Sequence, residues 1–205
     1  MLLAEMMYML YGYPNLPAIT TSPTGRPEFT DPSLPGFSIS YVGNMVGIAL
    51  CTDGECGLSM ALPHNPLALS RLAAEKVPQF TRNEITWINN QNNAFEARAQ
   101  LVTLRTSIAK LSGQRNFDDS QIQLLPGAGR LRATQAPNIE ALCDIEDVLV
   151  WAIAASPQIE HLRLWEFSNE NGWRGMAEIT PENHGPRDRI MRFTSMPCEN
   201  VMSFH

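Results

Sequence analysis

The chain has 205 residues, 44% of them apolar and 18% charged, with a formal net charge of -6 and a pI near 5.2. That length suits one core with an appendage, and that composition excludes disorder through the bulk of the chain. The acidic balance argues against nucleic acid as a partner, because neutralising phosphates takes a basic surface.

The opening MLLAEMMYMLY is an apolar run with Glu5 inside it and no basic residue ahead of it. It falls short of the roughly 18 apolar residues of a membrane span and lacks the basic flank of a secretory leader. The expectation is a protein with no signal peptide and no membrane span, cytoplasmic or held within an assembled particle. Six of the 15 prolines follow, Pro14, Pro17, Pro23, Pro27, Pro32 and Pro35. Proline fixes φ and removes a backbone donor, so this stretch favours extended, polyproline-like chain. Residues 1–36 read as an apolar segment on a proline-rich arm suited to reaching a neighbour, with Met6, Met7 and Tyr11 as interface residues; 37–205 read as a single α+β domain. A plain surface linker is the competing reading of the arm.

Ile39 to Leu62 predicts a β-hairpin turning at Asp53-Gly54, a strong tight-turn pair. That register sets Cys51 opposite Cys56. Asn65-Pro66 starts a short helix with Leu67, Leu69 and Leu72 that Pro78 ends. Thr81 and Glu84 make a capping box for a longer helix, carrying Ile85, Ile88, Phe95, Leu101, Leu104, Ile108 and Leu111 to a stop at Gly113. The polar run Asn89 to Asn93 is either an exposed helical face or a break. Residues 114–137 read as an irregular connection. A second helix is expected from about Pro137 to Ala155, with Ile139, Leu142, Ile145, Leu149 and Ile153 inward and Glu140, Asp144 and Asp147 outward. A second hairpin follows, HLRLWEF and WRGMAEI around Asn171-Gly172, and then a short strand at Arg189 to Thr194. No internal repeat is present. The fold expected is α+β, an antiparallel sheet built from the two hairpins with the two main helices packed on one side.

Chemistry-bearing groups are sparse. Glu140, Asp144 and Asp147, with Glu146 nearby, are better explained as a solvated helix face than as cation ligands. Cys51 and Cys56 lack a second pair at zinc spacing, since Cys143, Cys198, His64, His161 and His184 are isolated from one another; packed, reduced thiols are expected. PGAGR at 126–130, with Arg132 after it, lacks the lysine and Ser/Thr of a phosphate loop. No metal or cofactor is expected. Trp165, Phe167 and Trp173 gather at the second hairpin as a core face or an interface. The reading that follows is a structural or assembly protein, a self-associating subunit of virion type or similar, whose partners are copies of itself or another protein subunit. The alternative is a small enzyme with Glu182, His184 and Asp188 as an acid/base set.

Overall fold

The computed structural model describes residues 2–63, 80–113, 121–134, 138–146, 148–180 and 190–195, and its mixed α+β architecture is organised on a six-stranded sheet of order β5-β9-β8-β12-β7-β6. The strands are β5 (Glu55–Ala61), β6 (Ile122–Leu125), β7 (Arg130–Ala133), β8 (Glu140–Glu146), β9 (Leu149–Ser156) and β12 (Met191–Thr194). Neighbours run antiparallel except β12 and β7, which are parallel. Three two-stranded units surround this sheet. They pair β1 (Ile19–Thr21) with β2 (Pro27–Phe29), β3 (Gly36–Val42) with β4 (Met45–Cys51), and β10 (Leu162–Ser168) with β11 (Gly172–Ile179).

Three helices are described: α1 (Leu2–Tyr11), α2 (Arg82–Asn89) and α3 (Ala94–Ser112). Thr81 caps α2 with the reciprocal bonds of a capping box, and the polar run Asn89 to Asn93 is a break, where Asn93 caps α3 by accepting from Phe95 and Glu96. Gly113, at φ +69°, ends α3 in the left-handed conformation that glycine adopts without cost. Leu101, Leu104, Ile108 and Leu111 of α3 pack on the small side chains Ala141, Cys143, Ala152 and Ala154 of β8 and β9. Each fully buried Leu or Ile here is worth about 1.5–3 kcal/mol of transfer from water. The helix lies so close to β5 that a Cβ on Gly57 would meet the Ser107 carbonyl oxygen at 2.0 Å.

The opposite face of the sheet, at the β5-β9-β8 end, is covered by β3 and β4 through a second cluster that includes Val42, Ala49, Leu58, Leu142, Trp151 and Ile153. Ser38 and Ser40 of β3 turn their hydroxyls to β5 and accept hydrogen bonds from the Leu58 and Met60 amides at 2.9 and 3.1 Å. Lys110 of α3 donates to the carbonyls of Ile39 and Leu58, and burial holds its pKa below the usual lysine value.

Several expectations from sequence are corrected. The main sheet is not built from the two predicted hairpins: β3-β4 and β10-β11 are separate two-stranded units, and the stretch 114–137, read as an irregular connection, supplies β6 and β7 to the six-stranded sheet. The segment 137–155 is no helix but the antiparallel strands β8 and β9. Both faces of these central strands are buried, which erases the alternation that would mark them. The first hairpin turns at Gly43-Asn44, joining β3 to β4, while Asp53-Gly54 carries the chain from β4 into the large sheet. Cys51 therefore stands opposite Gly36 and Cys56 opposite Ala155. The proline-rich arm is not extended throughout, because residues 19–29 form the β1-β2 hairpin. The second hairpin stands as expected, with Phe167 opposite Trp173, and β12 lies within the expected last strand. The helix expected at 65–78 lies outside the described residues.

Candidate functional site

The surface that stands out is built on α1. Leu3 and Met7, one helical turn apart, share a face and sink into a small core with Phe29 and Phe37, whose rings lie 4.8 Å apart at 48°. Leu34, Ile39, Ile48 and Leu50 close it. Met7 is fully buried there, so its assignment as an interface residue is corrected: it anchors α1 to the chain's own β3-β4 unit. Met6 is half-buried.

What remains outward is apolar. Tyr8, Leu10, Tyr11, Tyr13, Leu16 and Ile19 are all 39–62% exposed. Tyr41 and Val46 oppose each other across β3 and β4, on the same face as Phe37, Ile39, Ile48 and Leu50 because strand side chains alternate, and Tyr41 is 70% exposed. All four tyrosines of the chain lie within its first 41 residues and are exposed, and Glu5 is the single charged residue in the first 24. Partial burial, with Cys51 and Asp53 nearby, raises the Tyr11 phenol above its usual pKa.

The aromatic hairpin is a second, separate feature. Phe167 and Trp173 pack in a tilted contact with centroids 5.0 Å apart at 55°, both half-buried. Trp165 is 38% exposed and lies over Gly175. None of the three joins a core cluster, which corrects the core form of that expectation. The ribbon is laced by exposed ion pairs, Arg163 with Glu178 and Arg174 with Glu166, of the kind that contribute little to stability.

The other candidates do not converge. Glu140 and Asp144 sit on one face of a strand. Glu140 accepts from the Arg192 guanidinium and, at 2.7 Å, from the Ile159 amide, while the buried Asp144 accepts from the Ile145 amide. Asp147, Glu182, His184 and Asp188 lie outside the described residues, as do His64 and Cys198. His161 is exposed, 3.6 Å from Glu178. No group of three or more His, Cys, Asp or Glu among the described residues could hold a metal ion, and no described helix is long and apolar enough to cross a membrane. Burial pushes the Cys56 thiol up to about 12, with Cys51 and Glu55 adding to the shift.

Sequence reading missed the ion pair between Glu84 of α2 and Arg105 of α3. Arg105 Nη2 donates to both carboxylate oxygens at 2.7 and 2.8 Å, with the pair 0% and 3% exposed. The guanidinium also lies 5.5 Å from the Phe80 ring centroid. The capping box marks Glu84 but says nothing about a partner 21 residues away.

No family model matches the chain. It is 50% identical over 203 residues to the uncharacterized protein YieE of Escherichia coli strain K12, across 98% of this chain and 82% of that protein. YieE of Escherichia coli O6:H1 strain CFT073 matches to the same extent. With half of its residues shared over nearly its whole length, the chain belongs to the YieE family.

Proposed function

We propose that this chain is a self-associating subunit whose N-terminal surface is the contact face between copies. The observation that carries the reading is the run of outward apolar side chains from Tyr8 to Ile19, anchored by Leu3 and Met7 and extended by Tyr41 and Val46. Tyrosine is enriched in protein interfaces and charge is depleted at their cores, and a contiguous exposed apolar patch marks an interaction site. A copy of the chain suits this surface. The protein carries a net charge of -6, and a nearly uncharged face lets two such molecules meet without setting like charges against each other.

The test is solution mass against concentration. The wild type is expected to gain mass as concentration rises, and Tyr8→Ser/Tyr11→Ser/Tyr41→Ser to stay a monomer with an unchanged far-UV spectrum. A wild type that remains monomeric at high concentration, or a triple variant that associates as before, refutes the reading.

A further inference from the structure

The two strands at the far end of the large sheet, β6 and β7, bury one face and leave the other open. Ile122, Leu124, Leu131 and Ala133 join the core under α3. The alternate residues Gln123, Leu125 and Arg132 are exposed and Arg130 is half-exposed, and the register sets Gln123 across from Arg132 and Leu125 across from Arg130. These four side chains share one face, since directly opposed residues of an antiparallel pair point the same way. They line an open depression of about 610 Å³ that also touches Leu131, Ala133 and Ser195, the last just beyond β12.

The charges on this face are unequal in their partners. On the neighbouring strand, Arg192 is held by the Glu140 carboxylate and by the Ile159 carbonyl at 2.6 Å. Arg130 and Arg132 have no carboxylate within ion-pair distance among the described residues. Two guanidinium groups therefore lie two positions apart on a strand of an acidic protein, with no carboxylate of the described residues to compensate them, over an open depression whose volume falls in the range of small-molecule sites. Residues i and i+2 of a strand are about 6.6–6.8 Å apart at the backbone, and side chains as long as arginine close that gap readily. Each planar guanidinium takes one oxyanion group through paired N–H bonds, the Gln123 amide adds a donor opposite Arg132, and Leu125 supplies an apolar patch opposite Arg130.

The geometry points to a binding site, distinct from the N-terminal surface, for a small molecule carrying two adjacent oxyanion groups, the diphosphate class. Arg130 and Arg132 each hold one group, and Gln123 orients the second. The ligand is inorganic diphosphate itself or the diphosphate end of an organic ester lying against Leu125.

Calorimetric titration of the full chain with inorganic diphosphate, orthophosphate and a nucleoside diphosphate, at one fixed moderate ionic strength, tests this. Diphosphate is expected to bind at least about tenfold more tightly than orthophosphate, and Arg130→Gln and Arg132→Gln are each expected to weaken it about tenfold or more, about 1.4 kcal/mol. Arg132 is exposed, so Arg132→Gln retains the fold even if Arg130→Gln does not. Tighter binding of the nucleoside diphosphate, lost in Leu125→Ser, identifies an organic ester as the ligand; equal binding identifies the free ion. Absence of diphosphate binding at about 1 mM, equal affinity for orthophosphate, or full affinity in Arg132→Gln overturns the inference.

Discussion

Removing Glu84 should cost more stability than any other single truncation on the α2-α3 pair. Its carboxylate is fully buried and does two jobs: it accepts both hydrogen bonds of Arg105 Nη2, and it accepts from the Thr81 amide at 2.6 Å in the capping box. Arg105 Nε and Nη1 are buried and have no hydrogen-bond partner among the described residues, so Glu84→Ala leaves a buried cation with the Phe80 ring as its remaining electrostatic contact among them. Breaking a buried pair from one side costs about 3–5 kcal/mol, and loss of the reciprocal hydrogen bond from the Thr81 amide adds about 1 kcal/mol. Against a total stability of about 5–15 kcal/mol for a domain, that is about a quarter of the margin or more. The double variant Glu84→Leu/Arg105→Met removes both charges and refills the space, so it should be more stable than the sum of the single losses by at least about 2 kcal/mol. Urea unfolding followed by circular dichroism measures all of these. A Glu84→Ala cost below about 1 kcal/mol, or single effects that add within about 0.5 kcal/mol, would show that the pair is not the buried, coupled unit described.

Gly54→Val should destabilise by about 2 kcal/mol or more, because φ is +103° and a Cβ there would stand 2.0 Å from the Ser156 carbonyl oxygen; an unchanged urea midpoint would contradict it. Trp165→Ala, on a partly exposed ring, should cost well under the about 3–5 kcal/mol of a core tryptophan, and a loss of that size would place the ring in a core. The raised thiol of Cys56 makes stability fall in alkali. The unfolded chain gives up its thiol proton from the ordinary value of 9.0 upward, while the native thiol holds its proton to about 12. Stability is therefore lost as pH rises through that interval, and less so in Cys56→Ala. Parallel pH profiles for wild type and variant would refute the assignment, as would rapid alkylation of native Cys56 at neutral pH.

Where local chemistry decided the structure, the sequence was readable. Thr81 with Glu84 marks the start of α2 and Gly113 the end of α3, since caps depend on a few adjacent residues. The β10-β11 hairpin follows from its turn residues and aromatic strands. Where tertiary context decided, local pattern misled. In β8 and β9 the buried faces carry Ala141 and Cys143 on one side and Leu142 on the other, so the apolar spacing fits a helix as well as a strand. Asp53-Gly54 has the composition of a tight hairpin turn, but its glycine is needed for the passage past Ser156 into another sheet. PGAGR and Arg132 were visible as arginines beside glycines; that Arg130 and Arg132 share a face with Gln123 depends on a strand register no local motif encodes. Met7 reads as a free apolar residue until Phe29 and Phe37, more than 20 residues on, fold over it.

The serine hydroxyls of β3 bear on what the edge of the large sheet offers to another strand. A sheet edge with free amides is a template for a strand from another molecule, the usual route to open-ended aggregation. Ser38 and Ser40 occupy two such amides on β5 with side-chain oxygens instead of backbone carbonyls, which ends the ladder without starting a new one. The opposite edge, β6, is only four residues long and runs directly into Pro126. Strand-to-strand growth into fibres is thereby opposed at both ends of the sheet, and Ser38→Ala/Ser40→Ala would expose the amides that make such growth possible.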